Sequence, residues 1–143
     1  MGTRKRNRAN QLKEEKRSQY YATLRNCPTS PRKMRLVTDM VKGVEVNKAL
    51  DMLRYSPKEA TRRVEKLLLS AISNWQAKNE GAKIEDSQLI VKAAYVDQSR
   101  TLKRIRPAPQ GRAHRIKKRS NHVTVVLGSR IAAVAEEVES QEK

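Results

Sequence analysis

The sequence predicts an α+β fold, in which a small antiparallel sheet packs with three helices and a long β-hairpin arm protrudes from the body. The first observation behind this prediction is the order of patterns along the chain: strand, three helices, strand, basic segment, strand. The second is the roughly 25 residues between the last two strand patterns, whereas ordinary connections have about 4–6. The third is that residues 98–135 contain ten Lys or Arg and no Asp or Glu.

The length of 143 residues suits one domain with tails. Residues 1–17 are polar and carry seven bases, so we interpret them as a basic N-terminal extension that is flexible off its partner, and we consider a helix for its later half. The α+β domain follows over 18–128 and includes the extended hairpin at about 98–121. Residues 129–143 end in acidic positions and are predicted to form a mobile tail.

The domain begins with a strand over 19–26, whose β-branched and aromatic content is typical of a sheet. Tyr20 and Tyr21 are neighbours there, so one side chain should face inward and the other outward. Ser30 and Pro31 then have the residue types of a helix N-cap and of the first helical position. The first helix has an apolar stripe and a terminating glycine: Met34, Val37, Val41 and Gly43.

Two further helices follow. The second is predicted from i, i+3, i+4, i+7 spacing in Val46, Ala49, Leu50 and Leu53. The third should start with a capping box, in which Ser56 is the cap, Pro57 the first helical residue and Glu59 the returning carboxylate. It should reach about Asn79, and Gly81 is expected to mark its C-terminal end. One face of this long helix is apolar and predicts the spine of the core: Ala60, Val64, Leu67, Leu68, Ala71, Ile72 and Trp75.

The remaining strands are predicted at Leu89–Val96 and Val123–Leu127. Because a long structureless loop between them would be unusual, both strands are expected to continue beyond the body as one extended hairpin. Its tip should lie near Pro107–Gly111. Ordering such an arm costs on the order of 1–2 kcal/mol per residue in backbone entropy, so we expect it to be mobile alone and ordered against a partner.

The charge distribution indicates what that partner is. The net charge is +17, yet residues 36–97 hold ten bases and nine acids, so the surplus lies at the two ends of the chain. An ordinary solvated surface mixes both signs, whereas an acid-free arm repels itself without a polyanion. Arg outnumbers Lys in the arm, which favours bidentate contacts with phosphates and base edges. The sequence therefore predicts a nucleic-acid-binding arm on a neutral scaffold.

Other classes of function have little support. His114 and His122 lack a paired carboxylate or a spaced metal ligand, and Cys27 is expected to be inert packing. Trp75 is expected in the core rather than as a base-stacking surface. The five glycines form no phosphate-binding loop, and no apolar run approaches the roughly 20 residues of a membrane helix. We expect no catalytic residue, no metal, no cofactor and no membrane contact.

Three blocks of sequence resemble the family of large-subunit ribosomal protein twenty-two, of the bacterial type. They are Ser30–Val37 with Val41–Gly43, then Ala49–Leu53, and then Lys103–Pro107 through Gly111–Ile116 to Arg119–Val126. The resemblance covers about residues 19–128. It implies a cytoplasmic ribosomal location, a structural role without enzymatic activity, and partners that comprise large-subunit ribosomal RNA (rRNA), neighbouring ribosomal proteins and the nascent polypeptide.

In that family the hairpin threads through rRNA, stabilises its folding and assembly, and lines the polypeptide exit tunnel with its tip. Carried over by position, the resemblance implies tunnel-tip residues at Lys103, Arg104, Ile105, Arg106, Pro107, Gly111, Arg112 and Ala113. Shaft residues that would face RNA are Arg100, Arg115, Lys117, Lys118 and Arg119. Pro109, Gln110 and His114 depart from the common bacterial pattern at the tip.

Two basic groups outside the arm are further rRNA-binding candidates. Arg32, Lys33 and Arg35 lie at the start of the first helix, where backbone N–H groups favour phosphate. Arg4, Arg6 and Arg8 lie in the N-terminal extension, where a solubilising tail is the alternative. Two rival functions remain open from the residues alone: an architectural DNA-binding protein that inserts its arm into a groove, and a small RNA-processing enzyme using Cys27 or His122.

Overall fold

The computed structural model describes residues 2–79 and 87–129. Within these ranges the chain forms nine elements in the order α1 Thr3–Ser18, β1 Tyr20–Cys27, α2 Pro31–Val41, α3 Val46–Tyr55, α4 Glu59–Lys78, β2 Leu89–Gln98, β3 Leu102–Pro107, β4 Ala113–Lys118 and β5 Asn121–Ser129. The predicted helix punctuation at Gly81 and most of the predicted acidic tail lie outside the described residues.

The body contains a three-stranded antiparallel sheet in the order β1-β5-β2, with β5 in the centre. Side chains alternate along β5 from Asn121 to Leu127 between buried and half-buried positions, as expected when helices cover one face of a sheet. Strands β3 and β4 form a separate two-stranded sheet. The α+β class and the protruding hairpin are therefore confirmed.

The core lies between this sheet and the helices α2, α3 and α4. On α4, all seven predicted core positions are buried, from Ala60 to Trp75. Met34, Val37 and Val41 on α2 are completely buried, which confirms the predicted stripe. Tyr20 is half-buried and its ring meets Trp75 edge-on with centroids 6.4 Å apart, whereas Tyr21 is exposed. The alternation predicted for the two tyrosines is thus confirmed.

The outer edge of β2 is covered by the turn between α2 and α3. The Gly43 N–H donates to the Val91 carbonyl at 2.8 Å, and the Val91 N–H donates to the Val44 carbonyl at 3.0 Å. Gly43 has φ +77°, a conformation that glycine adopts without steric cost, so it ends α2 as predicted. This pairing protects one edge of the sheet from association with another strand.

The predicted capping box of α4 is wrong. The helix starts at Glu59, its N-cap is Lys58 in an extended conformation, and no side chain caps it. The cause is Thr61, which is buried and donates its hydroxyl to the Lys58 carbonyl at 2.6 Å. That bond ties the first turn of α4 to Lys58, the residue before the helix. Ser56 is the C-cap residue of α3, and Glu59 accepts a hydrogen bond from Arg63 at 3.0 Å, so neither residue takes part in a capping box. Ser30 is at the predicted N-cap position of α2, but its side chain makes no capping bond.

The structure also has a helix that the sequence analysis placed only in part. α1 occupies Thr3–Ser18, beginning well before the later half of the extension. This segment has no Gly or Pro and consists largely of Arg, Lys, Gln, Glu and Ala, which favour helix. None of its residues is buried. The flexibility of the extension stays a prediction.

Candidate nucleic-acid interface

The arm continues the two neighbouring strands β2 and β5 away from the body. Gln98 pairs with Asn121 at its foot, and the Ser99 N–H donates to the Ser120 carbonyl at 2.9 Å. Beyond this junction β3 and β4 pair without a break from Leu102–Lys118 to Pro107–Ala113. The predicted extended hairpin is therefore present, and each of its two strands is connected directly to the core sheet.

The tip of the arm is a tight turn over Pro109–Gly111. Gln110 and Gly111 both have positive φ, at +62° and +69°. The turn is closed by the Ala108 N–H, which donates to the Arg112 carbonyl at 2.9 Å. Glycine suits the second of these positions because a side chain there would be strained, even though the space around Gly111 is open.

The register of β3 and β4 divides the arm side chains between two faces. Residues that pair directly lie on the same face of a two-stranded sheet. One face carries Lys103, Ile105, Pro107, Ala113, Arg115 and Lys117, and the other carries Leu102, Arg104, Arg106, His114, Ile116 and Lys118. Bases therefore project from both faces, so the arm can contact RNA on both sides.

The arm has no internal charge compensation. Lys103 pairs directly with Lys117, which is a destabilising cross-strand arrangement in water. The acid-free segment offers no carboxylate, and the ion pairs of the described residues, Arg54–Glu65 and Arg63–Glu59, belong to α3 and α4. Apart from the half-buried Ile116, every side chain of β3 and β4 is exposed, including Ile105 at 74%. An arm of this kind is suited to neutralisation by a polyanion.

A group of polar side chains holds the foot of the arm against β1. Asn26 has φ +54° and donates its N–H to His122 Nδ1 at 3.0 Å, while its Oδ1 accepts from the Ser99 hydroxyl at 3.0 Å. Asn121 is fully buried, and its Nδ2 donates to the Thr29 carbonyl at 2.7 Å and the Thr29 hydroxyl oxygen at 2.9 Å. Both strands of the arm are thereby fixed where they leave the body.

Sequence reasoning missed this group. Its residues are short polar side chains at the ends of strands, a composition that is also typical of ordinary turns. The one available signal was that Asn tolerates positive φ better than most residues. Of the two histidines without a predicted ligand role, His122 accepts a hydrogen bond from the Asn26 N–H in the body, and His114 is exposed near the tip.

The other predicted bases lie in separate places. Arg32 and Lys33 are exposed on the first turn of α2, but the Arg35 side chain turns back and donates to the Val96 carbonyl at 3.2 Å. The exposed bases of α1 include Arg4, Arg6 and Arg8. Since the start of β1 pairs with the end of β5, α1 joins the sheet at the end opposite the arm. The structure therefore does not bring the extension and the arm together.

The described residues give no catalytic or metal centre. Cys27 is buried, with its sulfur 3.6 Å from Arg63 Nη1 and 3.3 Å from the Thr29 hydroxyl oxygen. A side-chain hydrogen bond to Glu59 raises the pKa of Arg63 above its ordinary value. Among the residues described, no three His, Cys, Asp or Glu side chains are grouped so as to hold a metal ion. No helix in the described ranges is long and apolar enough to span a membrane.

Comparisons with known proteins identify the family of this chain. Residues 22–128 match the family model described as Ribosomal protein L22p/L17e. The chain is 64% identical over 129 residues to the large ribosomal subunit protein uL22 of Christiangramia forsetii, covering 90% of this chain and 96% of that protein. It is 61% identical over 129 residues to the Flavobacterium psychrophilum protein of the same name, covering 90% and 94%. The Bacteroides fragilis protein of that name is 58% identical over 130 residues, covering 91% and 95%. The chain therefore belongs to the ribosomal protein L22p/L17e family.

Proposed function

We propose that this chain is a non-enzymatic structural constituent of the large ribosomal subunit, whose arm inserts into large-subunit rRNA. The observation that carries the proposal is the exposed, acid-free arm, in which bases project from both faces and Lys103 lies directly opposite Lys117. Repulsion between its bases destabilises the ordered arm in water, and surrounding phosphates would neutralise that repulsion. Family membership supports the same role.

The binding mechanism is electrostatic and geometric. Lys and Arg neutralise phosphates, and the release of condensed counterions supplies much of the affinity. Shape and 2′-hydroxyl contacts, rather than base readout, should provide most of the selectivity for RNA. On the arm, the bases to which we assign rRNA contacts are Arg100, Lys103, Arg104, Arg106, Arg112, Arg115, Lys117, Lys118 and Arg119. On the body, we assign rRNA contacts to Arg32, Lys33 and Arg35.

Strand β3 and the tip of the arm are assigned to the polypeptide exit tunnel. The residues proposed to line it are Lys103, Arg104, Ile105, Arg106, Pro107, Gly111, Arg112 and Ala113. The exposed Ile105 is an apolar contact for the nascent polypeptide in this arrangement. By drawing rRNA segments together along the shaft, the arm would also stabilise rRNA folding and assembly beside neighbouring ribosomal proteins.

Co-sedimentation tests the ribosomal assignment. The native protein should travel with large subunits and remain bound through moderate salt. For the purified full-length chain, structured large-subunit rRNA should resist displacement by duplex DNA at equal phosphate concentration. If the protein stayed at the top of the gradient, the ribosomal role would be rejected. If duplex DNA displaced the rRNA, an architectural DNA-binding protein would be favoured instead.

A further inference from the structure

The helix α1 leaves the body at the end of the sheet opposite the arm. Tyr20, the first residue of β1, pairs with Leu127, whereas Cys27 at the other end pairs with Asn121 beside the arm. With a rise of about 3.3 Å per residue, the eight residues of β1 separate the two exits by roughly 23 Å. The molecule therefore presents basic elements at two distinct places.

The bases of α1 are concentrated on one side of the helix. At 3.6 residues per turn, five of them fall within a sector of about 120°, comprising Lys5, Arg6, Lys13, Lys16 and Arg17. The two acids, Glu14 and Glu15, lie outside this sector. Arg4 and Arg8 flank Glu15 on the other side of the helix. We call the five-base sector the α1 basic face.

The last turn of α1 is attached to the body by Lys78 of α4. Lys78 Nζ donates to the carbonyls of Arg17 and Gln19, each at 2.8 Å. The same ammonium lies 5.3 Å from the centre of the Tyr20 ring, which packs on Trp75 in the core. A cation at a helix C-terminus satisfies free carbonyls and opposes the helix dipole. Lys78 thus sets the direction in which α1 leaves the body.

We propose that α1 is a second RNA-binding element, which lays the α1 basic face along the phosphate backbone of structured rRNA and is oriented by Lys78. This inference rests on the proposed function and extends it to a separate surface. Lys13, Lys16 and Arg17 become contact residues, and Lys78 becomes a positioning residue. A free helix of this length without packing is marginal in water, so RNA also supplies the stabilisation that the core does not.

The composition of α1 favours RNA over a membrane or a protein groove. Either alternative needs an apolar stripe repeating every three or four residues. The one large apolar side chain on α1 is Leu12, which is 49% exposed. The α1 basic face instead matches the charge of a phosphate backbone.

A salt titration of rRNA binding tests the surface. The probe is deproteinised large-subunit rRNA, and the test variant is the full-length chain with Lys13→Gln, Lys16→Gln and Arg17→Gln. At 0.15 M salt we expect a roughly 10–100-fold loss of affinity, and a log–log salt slope shallower by about 2–3. The matched control, Lys58→Gln with Arg62→Gln and Lys66→Gln, removes the same charge from exposed positions of the body. Equal losses in the two variants would overturn the proposal, because charge alone would then explain the effect.

The role of Lys78 is tested in a double-mutant cycle. Lys78→Met should weaken rRNA binding in the wild-type background but have little effect in the Lys13/Lys16/Arg17 variant, and Lys78→Arg should restore most of the affinity. The same loss in both backgrounds would show that Lys78 does not act through α1. Because α1 has no buried residue and the Lys78 side chain is exposed, all variants should keep the melting temperature of the body.

The outcomes separate this inference from the proposed function. A further variant with Arg115→Gln, Lys117→Gln and Lys118→Gln removes arm bases only. If it weakens rRNA binding while the α1 variant does not, the second surface is rejected and the arm proposal stands. If the wild-type chain shows no preference for rRNA, the proposed function itself fails.

Discussion

Asn121 is the side chain at which the arm and the body are joined most directly. It is fully buried, follows the basic shaft, and gives both amide hydrogens to Thr29. We expect Asn121→Ala to lower the free energy of unfolding by about 1–3 kcal/mol, because the carbonyl and hydroxyl oxygens of the half-buried Thr29 lose their donor. Chemical denaturation of the full-length chain measures the change.

Asn74→Ala is the matched control for that substitution. Asn74 is exposed and donates one hydrogen bond to the Tyr21 carbonyl at 3.0 Å. Water can replace that donor, so the loss should stay below about 1 kcal/mol. Equal effects of the two substitutions would show that the amide of Asn121 is not a structural link.

Predictability at the residue scale depends on whether a side chain is governed by local periodicity. That one of Tyr20 and Tyr21 faces inward and the other outward follows from strand alternation alone, and the structure confirms it, with Tyr20 as the inward residue. The positive φ of Asn26 cannot be predicted from periodicity, because it accompanies a contact with His122, which lies 96 residues away in sequence. The polar contacts at the foot of the arm are of this second kind, and so is the Lys78 contact with α1.

At the scale of an element, helix α4 starts at Glu59 although its sequence contains a capping-box pattern that begins at Ser56. Ser56→Ala should change the free energy of unfolding by less than about 0.5 kcal/mol, since the Ser56 side chain caps no helix. Thr61→Val should cost about 0.5–1.5 kcal/mol, because the buried hydroxyl bonds the Lys58 carbonyl. Denaturant unfolding of both variants gives the order of the two losses, and the reverse order would restore the capping box.

The arm was predictable as an element because two apolar strands separated by roughly 25 residues can be connected in few compact ways, and an extended hairpin is one of them. Its tip was also expected near Pro107–Gly111, where the structure has the turn. The assignment of side chains to the two faces was not predictable, because it needs the register of β3 with β4. The rRNA and tunnel contacts themselves stay predictions.

The bases of the arm suit binding to a polyanion but destabilise the free arm. One substitution should separate these two effects. Lys117→Glu places a carboxylate opposite Lys103. We expect the free arm to gain about 0.2–1 kcal/mol from this opposite-charge pair, seen as slower amide exchange in β3 and β4. Affinity for rRNA should fall, because a phosphate contact becomes repulsive.

Lys118→Glu provides the comparison for that substitution. Lys118 pairs with Leu102, so the same charge reversal creates no directly opposed ion pair. Affinity for rRNA should fall again, while amide exchange in the arm should hardly change. If Lys117→Glu left rRNA binding intact, the shaft would not lie against phosphate.

At the scale of the whole molecule, the body and the arm divide their tasks. Every member of the described hydrophobic core cluster lies at or before Val96 or at or after Val123, so the arm contributes nothing to it. The bases of the arm, conversely, find no acid within its sequence. The body is thus stabilised by apolar burial, whereas stabilisation of the arm is assigned to a surrounding anion under the proposed function.

This division predicts that the arm can be damaged without unfolding the body. Deletion of Leu102, Lys103 and Arg104 should leave the melting temperature of the purified chain nearly unchanged, because these three side chains are exposed and pair only within the hairpin. Leu68→Ala, in the buried face of α4, should instead cost about 2–5 kcal/mol and lower that temperature clearly. In assembled large subunits the deletion should alter the exit tunnel, as monitored by chemical probing of the rRNA. A large drop in the melting temperature of the deletion variant would mean that the arm packs on the body in solution. The arm would then be stabilised by the body and would not need RNA for its order.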